Sequence, residues 1–151
     1  MRWQSLVLSL ASGALTVLPT HARGTPASRA PRLTLTLLST PTVGAKFKLL
    51  ASVNATHPRA LGVFTDSDAC PPAALDMPSQ SNYSGGITTS PQPRFHQSYT
   101  IGPLTPNSTL YICAYLTKIN NNHTVGATLA TEFITLRSGT NGRAHVTRHS
   151  T

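Results

Sequence analysis

The chain has 151 residues, room for one domain, and only 11% of them are charged, against the roughly 25% usual in globular proteins. With 39% hydrophobic residues, 15 Ser, 22 Thr, 12 Pro and 10 Gly, the composition excludes a coiled coil, a calcium buffer and a charge-driven disordered tail, and argues for many turns. The formal net charge is +8, but Leu33 to Leu136 holds five cations (Lys46, Lys48, Arg59, Arg94, Lys118) and four anions (Asp66, Asp68, Asp76, Glu132), so the basic excess lies at the ends.

Met1–Gln4 carries one positive charge, Ser5–Leu18 is uncharged and mostly apolar, and Pro19-Thr20-His21-Ala22 follows. This is the pattern of a secretory signal over residues 1–22, cut after Ala22. The run is too short for a membrane span, which needs about 20 apolar residues. The competing reading is a buried N-terminal helix. Residues 23–31 then form a flexible basic lead, and the mature chain is expected to be secreted and extracellular.

From Arg32 onward the pattern is strand after strand. Leu33–Leu37 alternates apolar and polar, and Pro41–Gly44 makes a turn. Phe47–Val53 and Ala60–Phe64 follow, the latter ending at the Asp66-Ser67-Asp68 turn. Cys70–Gly86, rich in Pro, Ser, Asn and Gly, reads as a long loop with one helical turn at Ala73–Met77. Arg94–Ile101 places Phe95, Gln97, Tyr99 and Ile101 on one face. Leu110–Thr117 and Val125–Leu136 complete an all-β, antiparallel sandwich of about seven strands over residues 32–137. Residues 138–151, opening with Ser138, Gly139, Asn141 and Gly142, are expected to be a disordered basic tail.

The two cysteines, Cys70 and Cys113, read as one disulfide in an oxidising compartment, the alternative being two buried thiols. Such a bridge closes a loop of about 44 residues, worth roughly 4 kcal/mol in the chain-entropy model.

Tyr99–Tyr111 (YTIGPLTPNSTLY) resembles the turn between strands E and F of fibronectin type III and other immunoglobulin-like domains. Tyr111-Ile112-Cys113 is similar to the tyrosine-corner spacing of that fold. The resemblance implies that Leu104 plugs the base of the sandwich. It also implies that Tyr111, on the inner face with Cys113, hydrogen-bonds back across the turn. The chain departs from a true immunoglobulin domain because Cys70 follows the third strand and the single Trp lies in the signal. The bridge is therefore expected to tie the loop after the third strand to the strand of Cys113, and not one sheet to the other. The order Pro-Thr-Val-Gly, Val63-Phe64, Ala69-Cys70-Pro71, Tyr111–Leu116 and Ala127–Ala130 is also similar to small secreted proteins of high-GC Gram-positive bacteria. That likeness implies fold and compartment and no activity.

Candidate chemistry is sparse. Asp66 and Asp68 are candidate calcium ligands, with an Asp-rich turn as the alternative, and six to eight oxygens are not in sight. His145 and His149 have a metal-like i, i+4 spacing in the expected tail. His57, His96 and His123 stand among many hydroxyls without a nucleophile motif, a catalytic carboxylate pair or a phosphate loop. Asn54, Asn82, Asn107 and Asn122 begin Asn-x-Ser/Thr triplets, read as polar turns or, in a eukaryotic secretory route, as glycan acceptors. The expectation is a non-enzymatic extracellular module with no cofactor, metal or nucleic acid, whose partner is a protein or a cell-surface polymer. The alternative is a small enzyme or enzyme inhibitor acting through the Cys70–Gly86 loop.

Overall fold

The structure, a computed structural model, describes residues 29–77 and 82–151, with the backbone alone over 82–87. The expected signal with its cut after Ala22, and residues 23–28 of the lead, lie outside the described residues. The strands are β1 (Arg32–Leu37), β2 (Phe47–Asn54), β3 (Arg59–Asp66), β4 (Asn82–Ser90), β5 (Arg94–Ile101), β6 (Thr109–Ile119), β7 (Val125–Ser138) and β8 (Ala144–Ser150). They form two antiparallel sheets, β1-β2-β5 and β4-β3-β6-β7-β8, packed face to face as a β-sandwich. No helix among the described residues is long and apolar enough to cross a membrane.

Alternation builds the core. Leu33 and Leu35 of β1, Leu49, Ala51 and Val53 of β2, and Tyr99 and Ile101 of β5 point inward from the small sheet. Leu61, Val63, Ile112, Ala114, Leu116, Ile134 and Leu136 meet them from the large one. Each fully buried aliphatic side chain contributes about 1.5–3 kcal/mol relative to exposure. Leu104, in the β5–β6 connection, is 1% exposed within this core. Its backbone bridges Val43, and its carbonyl accepts the Gly44 N–H. The helical turn expected at Ala73–Met77 is a 3-10 turn over Ala74–Asp76.

Three expectations are corrected. First, the expected Cys70–Gly86 loop is shorter, because β4 begins at Asn82 and pairs with β3. Its Gly85-Gly86 step, which reads as a turn, adjoins a register shift: Val63 faces Gly86 while Phe64 faces Tyr83. Secondly, the tail is not disordered. Ser138–Gly142 is a hairpin turn, with Gly142 at φ +76°, and it returns the chain as β8 alongside β7. The count among the described residues is therefore eight strands, and the sandwich runs to Ser150.

The third correction concerns Tyr111 and Cys113, which share a face as expected, but the outer one. Ile112, Ala114 and Leu116 take the core side of β6, so the odd-numbered residues look away from it. The Tyr111 hydroxyl makes no hydrogen bond to any described residue across the turn. The phenol that reaches a backbone carbonyl is Tyr115, whose Oη donates to Pro71 O at 2.7 Å.

Candidate functional site

The outer face of the five-stranded sheet is half covered and half open. Cross-strand register sets Phe64, Cys113, Phe133 and His149 in one row over β3-β6-β7-β8. Asp66, Tyr111, Thr135 and Thr147 form the next row, and Thr109, Arg137 and His145 the one beyond. Over the first row lies the segment after β3, joined to β6 by the Cys70–Cys113 disulfide. As expected, this bridge ties the post-β3 segment to β6. Cys70, Ala74 and Met77 pack on Phe64, Tyr115 and Phe133, and Tyr115 stands edge-on to both phenylalanine rings at 5.9 and 5.4 Å. Thr128 Oγ1 accepts the Ala74 N–H at 3.0 Å, and the Tyr115 hydroxyl also touches Met77 Sδ at 3.3 Å. Burial first, then the charges of Asp76 and Asp66, push the Tyr115 phenol above the ordinary tyrosine range.

The described part of the segment, up to Met77, does not extend over the far half of the face. There Tyr111, Thr135, Arg137, His145, Thr147 and His149 line a shallow groove across β6-β7-β8. A phenol on β6, the hydroxyls of Thr135 and Thr147, the Arg137 guanidinium and two imidazoles on β8 suit a polar, hydrogen-bonding partner lying on the sheet. Arg137, Thr135 and Thr147 carry no motif, so sequence reasoning passed over them. Reading Ser138–Gly142 as a hairpin turn would have set β8 beside β7 and assembled the groove.

The other candidates do not converge. His96 lies on the outer face of the opposite sheet, its Nδ1 3.0 Å from Ser52 Oγ. His57 contacts Thr56 Oγ1 in the β2–β3 turn. His123 occupies a left-handed position, φ 61°, between β6 and β7. Asp66 Oδ1 accepts the Asp68 N–H at 3.1 Å, which closes their turn. His145 and His149 share a face of β8, but four residues of strand separate them by about 13 Å, too far for one ion. Among the described residues no group of three His, Cys, Asp or Glu is placed to hold a metal. Asn54, Asn107 and Asn122 are exposed, and the Asn122 side chain caps its own turn by accepting from Thr124 Oγ1 at 2.6 Å. Asn82 begins β4.

Comparison of the chain with protein-family models, with curated proteins and with solved structures finds no match.

Proposed function

We propose that the protein is a secreted, non-enzymatic binding module that holds an extracellular partner on the outer face of its larger sheet. The observation that carries the reading is the groove of Tyr111, Thr135, Arg137, His145, Thr147 and His149, left open beside a disulfide-pinned segment. A rigid sheet face needs no large rearrangement to bind, so little ordering cost opposes association. The partition of β1-β2-β5 against β4-β3-β6-β7 supports the immunoglobulin-like reading, with β8 as an added edge. The disulfide supports an oxidising, extracellular location. The reading of the post-β3 segment as an inhibitory loop has less support. Its described part is held down by Pro71 and Ala74 and does not project.

The test is capture from the producing cell's own surface and medium by the immobilised protein. Arg137→Ala combined with His149→Ala should abolish recovery of whatever the unaltered protein retains. Equal recovery by the variant sinks the groove as the site.

A further inference from the structure

A second surface lies where β1 begins, at the end of the sandwich that the close of β8 also reaches. Register places Arg32 of β1 opposite Asn54 of β2, and Asn54 opposite Arg94 of β5. Two guanidinium arms therefore flank one carboxamide in a single row on the outer face of the smaller sheet, their backbones about 10 Å apart, two strand spacings. The Ala55 N–H donates to Pro93 O at 3.0 Å and ties the β2 and β5 ends together beside that row. Arg29 and Thr56 join Arg32, Asn54 and Arg94 in lining a recess that wraps round the end of the sandwich.

Glu132 is the single acidic side chain among the lining residues, and it is 8% exposed with Arg148 beside it at 3.9 Å. None of Arg29, Arg32 and Arg94 forms an ion pair with a described residue, and all three are exposed. Asp66, Asp68 and Asp76 lie in or just after β3, on the other sheet.

We propose that this recess binds successive phosphate groups of an extended, phosphate-backbone polymer outside the cell. Three guanidinium groups spread over two strand spacings are more than one two-oxygen anion accommodates. Neighbouring phosphates of one chain each present two non-bridging oxygens, in the fork geometry guanidinium favours. Along the sheet the next row is Thr34, Ser52 and His96, uncharged oxygens and a ring nitrogen on which the polymer continues. The site shares no residue with the groove of the larger sheet and goes beyond the function proposed for it.

The experiment titrates the full protein with linear inorganic polyphosphate at 0.1 M salt. Arg32→Ala and Arg94→Ala are each expected to weaken binding roughly tenfold, as loss of a charged hydrogen bond does. Lys48→Ala, at the far end of the same face, and Arg143→Ala, in the β7–β8 turn, remove the same charge and should leave affinity within about twofold. Equal losses at all four positions would make the binding general electrostatics and overturn the site. Equal affinity for polyglutamate of matched charge overturns the phosphate assignment. Binding to phosphatidylglycerol vesicles with none to polyphosphate overturns the polymer. Melting curves of the four variants, all at exposed side chains, separate loss of binding from loss of fold. Arg137→Ala with His149→Ala should retain polyphosphate affinity, so the two surfaces stand or fall separately.

Discussion

Among single residues, Tyr115 and Tyr111 separate two roles that look alike in the sequence. Tyr115→Phe deletes the bond to Pro71 O and should cost about 0.5–1.5 kcal/mol. Tyr111→Phe removes a hydroxyl with no described partner and should leave the melting temperature nearly unchanged; a larger loss at Tyr111 than at Tyr115 would refute the assignment. Leu104→Ala empties a core position and should cost about 2–5 kcal/mol, read from denaturant unfolding with an unchanged m value. Glu132 gives a pH signature. Burial pushes its carboxyl pKa up, and Arg148 only partly offsets this. A raised folded pKa favours the protonated form in the native state. The stability it contributes is full below the ordinary carboxylate range and is lost as pH rises through the folded value. Glu132→Gln abolishes that loss, so its melting temperature relative to the unaltered protein should climb between pH 4 and pH 8. A falling difference would mean that the ion pair with Arg148 outweighs burial.

At the level of elements, β8 is the edge strand that completes the larger sheet. The Gly139 N–H donates to Arg143 O and the Thr151 N–H to Thr131 O, which sets the phase of the β7–β8 ladder. His145, Thr147 and His149 direct their N–H groups at β7, while Val146, Arg148 and Ser150 direct theirs outward. Hydrogen exchange should therefore alternate along β8, slow at the first three and fast at the second, whereas a disordered tail exchanges uniformly fast. Six of the eight strands were legible because their apolar residues recur with period two. In β8 the one large apolar residue is Val146, and it is 40% exposed, so no hydrophobic signal marks the strand. It is held by ladder bonds, by Ala144 N–H on Pro41 O, and by Arg148 Nη1 on Leu35 O at 2.7 Å. The β4 segment carries Gly and Ser that read as turn. In β6 the run Tyr111–Leu116 is apolar on both faces, so alternation fixed which residues pair but not which side is the core. The groove was illegible for the same reason, since it depends on β8 and on that choice of side.

For the whole molecule, the bridge and the core are separate stabilising systems. Cys70–Cys113 fastens a segment to the outside of the larger sheet and crosses neither the core nor the gap between sheets. Reduction should lower stability by roughly 2–5 kcal/mol, the range for a native bridge of this kind. The Phe64–Tyr115–Phe133 cluster should loosen, while strand content near neutral pH persists. Far-ultraviolet dichroism retained alongside a changed near-ultraviolet signal would show this; simultaneous loss of both would mean that the bridge holds the sandwich itself.

That separation fixes an order of events during biogenesis. Phe64 lies opposite Cys113 once β3 has paired with β6, so ladder formation carries Cys113 to within a few residues of where Cys70 emerges. The thiols meet on an assembled sheet, and oxidation follows the zippering of the strands and does not guide it. With two cysteines in the whole chain there is no wrong pairing to undo. Oxidation of the pair therefore needs an oxidant but no disulfide shuffling.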